Sequence, residues 1–356
     1  MSVARIRVRD LRSAVPAALA VIVVLAACSP AAVATPGSTD TPSPAATAAP
    51  TPSSTPDVDT IEDLATATIE VGRGPDWPIE AFGSLWLLAP DGDEPAVVRI
   101  DPGTNAEIAR VLLPPGGCQG MGASDDAIWA CTSDGAVRID PETNGIAAAV
   151  AYDSGASYAR LAFGGGAIWA IGFDAGVPDT LVRIDQATEV VTTTSLGHAL
   201  ATIGFGFGAV WATAPSDGLL LRIDAASGEV TEHVAGLPGP WNIGIGPDSI
   251  WITLHGRQDD DPAPGEANIV RIDPGDGTIL AEIVTEAPSG ALGGVWAEAD
   301  AVWVRAPDAF LTEIDPTTNS VVRTIPGPPS SGDVTVAFGS VWATTVEGNL
   351  VFRFEP

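Results

Sequence analysis

From about residue 65 onward, apolar positions fall in short runs that alternate with polar ones, and the runs are bounded by Gly, Asn, Asp or Pro. A two-residue period of this kind predicts strands. One stretch carries the whole unit. Residues 119–122 predict a short strand, residues 127–132 alternate around Trp129 as a second, residues 136–139 form a third and residues 146–151 a fourth. Between the last two lies Asp140-Pro141-Glu142-Thr143-Asn144. Its Asp accepts local backbone bonds, its Pro presets φ and its Asn tolerates the left-handed conformation, so it reads as a turn. Related turns begin at Asp101, Asp273 and Asp315.

The unit repeats. Trp86, Trp129, Trp169, Trp211, Trp251, Trp303 and Trp342 are separated by 43, 40, 42, 40, 52 and 39 residues. Six of them are followed by an Arg-Ile-Asp-like strand end, from Arg99-Ile100-Asp101 to the variant Glu313-Ile314-Asp315. A period near forty with only strand signals inside it predicts an all-β fold, a seven-bladed β-propeller of four-stranded blades over residues 62–356. A tryptophan present in every blade fills the space between facing blades, about 10 Å apart. Glycines in the predicted inner strands, such as Gly122 and Gly204, suit close backbone approach near the axis. The last repeat stops after its third strand, residues 350–354, while an orphan strand at residues 67–71 precedes the first. The N-terminal strand is therefore expected to complete blade seven and remove two open edges.

The chain ahead of the repeats is of another kind. Arg5, Arg7, Arg9 and Arg12 precede an apolar run over residues 14–27, which predicts a secretory signal at residues 1–27. Residues 28–61 are mainly Ala, Pro, Ser and Thr. They predict a disordered tether with a reach of roughly 30 Å if flexible and about 90 Å as polyproline. The chain carries a formal charge of −29, and losing four arginines and one aspartate with the signal takes it to −32. All sixteen basic residues are arginine. A surface so acidic argues against nucleic acid and against adhesion to anionic lipid. In an exported compartment Cys118 and Cys131 are expected to form a disulfide. A turn at residues 123–126 would set Gly122 opposite Ala127 and the two cysteines opposite each other.

Two resemblances sharpen this. Leu25-Ala26-Ala27-Cys28 resembles the bacterial lipobox, which implies diacylation of Cys28 and anchoring to the outer face of the cytoplasmic membrane. Two acyl chains suffice for stable attachment. The repeats resemble bacterial propellers related to the YVTN-repeat proteins and the streptogramin lyases, while the Trp-Asp and Gly-His signatures of WD40 repeats are absent. The lyase likeness implies histidines and a glutamate around magnesium near the channel mouth. The positions that answer are His255, after the second strand of blade five, and His198, in the loop entering blade four, with Glu266 as the carboxylate. Arg305 stands where a second site histidine would fall in blade six. His233, midway along an outer strand, is expected at the surface.

Other candidates come from what is not repeated. The long loop of blade five, residues 256–268, explains the 52-residue spacing and brings Asp259, Asp261 and Glu266 together as candidate ligands for Ca²⁺ or Mg²⁺. Trp77, Tyr158, Trp241 and Trp296, with Arg305, are candidates for a ligand platform at the channel mouth. The sequence thus predicts a monomeric, membrane-anchored, extracytoplasmic lipoprotein that binds a ligand or protein at the mouth, without catalysis and without a required cofactor. The alternative is a metal-assisted lyase or hydrolase of streptogramin-lyase type on blades four and five.

Overall fold

The structure is a computed structural model describing residues 59–90, 94–116, 118–155, 161–256, 266–286, 293–307 and 309–356. Its strands form seven four-stranded antiparallel sheets, the seven-bladed propeller that the repeat predicts. Blade one runs from axis to rim as Asp76–Ala81, Ser84–Ala89, Ala96–Asp101 and Ala106–Leu112. Blade seven takes Val334–Ala337, Ser340–Thr345 and Leu350–Phe354 from the C-terminal end and its rim strand, Ala67–Glu70, from the N-terminal side. Ala67 pairs with Arg353 and Glu70 with Leu350. The expected closure is therefore present, and the rim edge of Leu350–Phe354 is paired.

A single helical turn, Ile61–Leu64, precedes the closing strand. Ile61, expected at the end of the tether, is fully buried in the cluster of Trp303, Phe310 and Phe352. Its N–H donates to Pro326 O at 2.8 Å. The same short segment thus plugs the seam between blades six and seven and closes the ring. The predicted signal at residues 1–27, Cys28 and the tether up to residue 58 lie outside the described residues.

The seven repeated tryptophans all lie in second strands and are buried. Trp86 donates its Nε1–H to Ala81 O at 2.9 Å and Trp342 to Ala337 O at 3.0 Å, so the ring is fixed to the far end of its own inner strand. Two inner-strand glycines act differently from expectation. A Cβ on Gly122 would lie 2.0 Å from the Phe163 ring, and one on Gly164 would lie 2.1 Å from Phe205. At these two positions what comes close is the next blade's side chain; at Gly293 it is backbone as expected, with Gly332 O 2.5 Å from a Cβ.

In three blades the arginine near the end of the third strand joins one blade to the next. Arg99, Arg271 and Arg353 stack over Trp86, Trp251 and Trp342 at 4.8, 5.2 and 4.7 Å. Each then reaches the turn of the following blade. Arg99 Nη1 donates to Pro141 O at 2.7 Å and Asn144 Oδ1 at 3.1 Å. Arg353 Nη1 donates to Pro102 O and, at 2.8 Å, to Asn105 Oδ1. Arg271 Nη1 bonds Pro316 O and Asn319 Oδ1 in the same way. Those asparagines sit at φ near 55° (56°, 53° and 55° for Asn105, Asn144 and Asn319). Where the turn carries Glu189, Gly228 or Gly277 instead, the arginine of the preceding blade (Arg138, Arg183 or Arg222) pairs with an aspartate of its own blade. His233 belongs to these seams as well: it packs edge-on to Trp211 at 4.9 Å, half-buried rather than on the surface.

Blade two departs from the expected register. Its inner strand is Met121–Ala123, and Gly122 pairs with Trp129 rather than Ala127. The hairpin is tighter than expected, because Ser124 N–H donates to Ala127 O and leaves only Asp125 and Asp126 in the loop. Cys118 and Cys131 are nonetheless bonded, with Cα atoms 5.5 Å apart. The bridge ties the loop between blades one and two to the second strand, a spacing usual for disulfides.

Candidate functional site

Inner strands begin, and second strands end, on the face that carries the loops joining consecutive blades. The repeat breaks down on this face. Two residues after each repeated tryptophan the chain has Leu88, Cys131, Ile171, Thr213, Thr253, Arg305 and Thr344. In blades four, five and seven the threonine hydroxyl accepts the inner strand's N–H, from Thr202, Asn242 and Asp333 at 3.2, 3.0 and 2.8 Å. In blade two a disulfide holds the same region. In blade six the position is an arginine.

Arg305 is 1% exposed. Its Nη1 donates to Ala306 O at 3.2 Å and to Phe310 O, and its Nη2 to Ser330 O, Ser331 O and Thr344 O at 3.0, 3.3 and 3.0 Å. The guanidinium lies 4.0 Å from the Phe310 ring centroid. Burial pushes it down to about 10, with Asp76, Asp333 and Glu347 pulling the other way, so it is charged at neutral pH. It joins blade six to blade seven at the mouth, with its four Nη hydrogens committed to carbonyls. Asp76 and Asp333 are themselves buried, each capping the N–H of the residue that follows it. Glu347 accepts Ser330 Oγ and Ser331 N–H at 2.6 and 2.8 Å.

Across the mouth, Trp241 and His255 stack with centroids 4.9 Å apart and planes 8° from parallel. The backbone positions both rings. Trp241 O accepts the hydroxyls of Thr202 and Thr213 from blade four, and His255 N–H donates to Gly239 O at 2.9 Å. Asn242 Nδ2 donates to Gly293 O at 2.8 Å, bridging blades five and six. These groups enclose a cavity of about 380 Å³, lined by Asp76, Trp241, Asn242, His255 and Arg305 with the Ser330–Gly332 backbone. Beneath it a channel of about 450 Å³ follows the axis, walled by inner strands from all seven blades.

The sequence candidates separate on this geometry. Trp241, His255 and Arg305 line one cavity. Trp77 is buried with Trp86, Leu113 and Met121, at the side of the channel. Trp296 lies in the channel wall, its indole N–H on Glu298 at 3.1 Å. His198 stands apart from the cavity lining, its Nδ1 2.9 Å from Asp217 Oδ2 on the blade-four loop. Glu266 is exposed at the end of the blade-five loop. Tyr158, Asp259 and Asp261 lie outside the described residues. Among the described residues no three His, Cys, Asp or Glu side chains converge as a metal site. Asp76, Asn242 and Glu347 were not singled out from sequence. Lining up the blades at the second position after each tryptophan brings out Arg305, the one long charged side chain there, but gives no signal for those three.

These features define the class: a β-propeller, a fold typically used as a binding module. No protein-family profile and no curated protein matches the chain. Solved structures do. The WD40 domain of Pan2 from Neurospora crassa aligns with a TM-score of 0.60 at 12% identity, over 80% of this chain and 89% of that one. The computationally designed Ika8 protein aligns with a TM-score of 0.59 at 13% identity, over 82% and 100%. BamB from Moraxella catarrhalis gives 0.52 at 15%, over 77% and 80%. At such identities the likeness is one of fold. It extends to a WD40 domain although this chain lacks the WD40 signatures.

Proposed function

We propose that the protein is an extracytoplasmic binding module, held at the membrane through Cys28 and its Pro-rich tether, whose recognition surface is the channel mouth of blades five to seven. The observation that carries this is the cavity of about 380 Å³ bordered by the Trp241–His255 stack. It combines an aromatic wall with a few buried polar groups, the usual make-up of a ligand site, and it is built from residues that the repeat does not require. Binding fits this cavity better than catalysis. Arg305 is committed to carbonyls, and the two histidines of the lyase reading have different partners, Trp241 and Asp217.

A thermal-shift screen of the full chain against cell-wall fragments, amines, sugars and divalent metals tests this. A ligand is expected to raise Tm in the parent and not in Trp241→Ala, since binding to the folded state alone stabilises by mass action. Equal shifts in both proteins would place the site elsewhere and end the proposal.

A further inference from the structure

Much of the polar lining of the mouth cavity is already engaged within the protein, and acidic groups gather around it. Three carboxylates, Asp76, Asp333 and Glu347, act on Arg305; Asp76 lines the cavity, Asp333 lines the channel beneath it, and Glu347 is held on Ser330 and Ser331. No other guanidinium among the described residues lines the cavity. Most of the polar atoms are occupied by the protein itself, although Arg305 Nε is buried without a hydrogen-bond partner. Asp76 accepts Trp77 N–H at 3.0 Å, Asn242 donates to Gly293 O, and Glu347 accepts three bonds from Ser330 and Ser331. A sugar, which is read by many hydroxyl contacts, finds few open partners here. An anion meets Asp76 in a strongly acidic protein. A cation that needs no hydrogen bonds meets both a favourable field, focused by the buried walls, and the indole of Trp241.

From this we infer that the cavity binds an organic cation of the methylated-ammonium type, recognised by the aromatic wall of Trp241 and His255 and by the acidic surroundings, with Asp76 in the cavity wall. The inference rests on the mouth being the binding site. The cation has two possible sources, a free small molecule such as choline or a methylated lysine of a peptide. The shared chemistry is a compact, poorly hydrated positive charge, which aromatic faces attract.

Calorimetric titration of the full chain tests it with four probes: choline, its neutral isostere 3,3-dimethylbutan-1-ol, a trimethyllysine peptide and an uncharged disaccharide. Choline or the peptide is expected to bind at least about tenfold more tightly than the isostere, and Trp241→Ala to lower that affinity about tenfold. Raising the salt concentration should narrow the gap between choline and isostere, because the field is screened. Binding by the peptide alone supports the inference and makes a protein the source of the cation. Equal affinity for choline and isostere, lost in Trp241→Ala, overturns the cation while leaving the mouth as the site. Disaccharide binding without cation binding does the same. No binding by any of the four overturns the cation, and a second failure in the broader thermal screen removes the site as well. The isostere comparison uses the unaltered protein, so it decides the question even where a variant fails to fold.

Discussion

Asn105 is expected to hold the ring closed through one bond. It accepts Arg353 Nη1 at 2.8 Å, across the junction where blade seven meets blade one. Asn105→Gly removes that acceptor yet keeps the left-handed backbone, with φ of 56° in the parent and glycine at the equivalent places Gly228 and Gly277. A hydrogen bond to a charged group contributes about 1.5–3 kcal/mol. Arg353 retains Pro102 O, Ser340 Oγ and its seat on Trp342, so the lower end applies, about 1.5 kcal/mol. For a domain of roughly 300 residues that is a Tm loss of about 2–3 °C. Glycine also loosens the unfolded chain, so the single variant is not clean. A double-mutant cycle with Arg353→Met removes that part and isolates the pair. Urea unfolding of the four proteins should give a coupling of about 1–1.5 kcal/mol. Gly228→Asn places an acceptor opposite Arg183, and the parent pair there should show no coupling until the asparagine is introduced. A coupling below about 0.3 kcal/mol at 105/353, within the additivity of independent sites, would refute the latch.

Four further outcomes follow from the structure. Ile61→Ala should destabilise by about 2–5 kcal/mol, the range for emptying a buried aliphatic site, measured by denaturant unfolding; a change under about 0.5 kcal/mol would mean that the plug does not hold the seam. Cys118→Ser should cost about 3 kcal/mol in the chain-entropy treatment of so short a loop, with parent and variant converging once a reductant is added. Arg305→Ala should cost about 3–5 kcal/mol by leaving carboxylates uncompensated, and Arg305→Met should recover part of it. In acid, Asp101, Asp140, Asp224 and Asp315 are held below the usual carboxylate range, first by the backbone N–H of Thr104, Glu142, Ser227 and Thr317; Asp185 is held there first by the Thr188 hydroxyl. Their folded pKa values lie below the unfolded value near 3.9. The stability they supply is therefore complete above that pH and fades as pH falls through the folded values. Tm should drop below about pH 4, and Asp101→Asn with Asp315→Asn should flatten the drop.

The ring was readable from the sequence because each blade solves the same packing problem with the same residues. Trp129 announces its role, and Arg99 its place at a strand end, by recurring about every forty positions, and the orphan strand announced itself by lacking a partner. The mouth was not readable because it is made where recurrence ends. Arg305 was read as a site residue from its alignment with a histidine position. Its acceptors Ser330 and Thr344 lie 25 and 39 residues further along the chain, and no local pattern marks them. The stack of Trp241 on His255 joins an inner strand to the loop after the second strand, and only the fold brings them together. In blade two the disulfide was legible and the register was not, since two cysteines can meet diagonally when a hairpin tightens by two residues.

The closing strand also sets an order of events. Thr66 bonds Arg353, 287 positions away, so the closing strand cannot find its partner until that distant strand is available. Contacts of such separation form late, because the loop between them must close before they gain anything. Until then the apolar faces of Trp303 and Phe352, which Ile61 covers, lie open. Folding would then have one vulnerable interval at its final step, and deleting the strand Leu350–Phe354 would extend that interval indefinitely rather than merely shorten the ring.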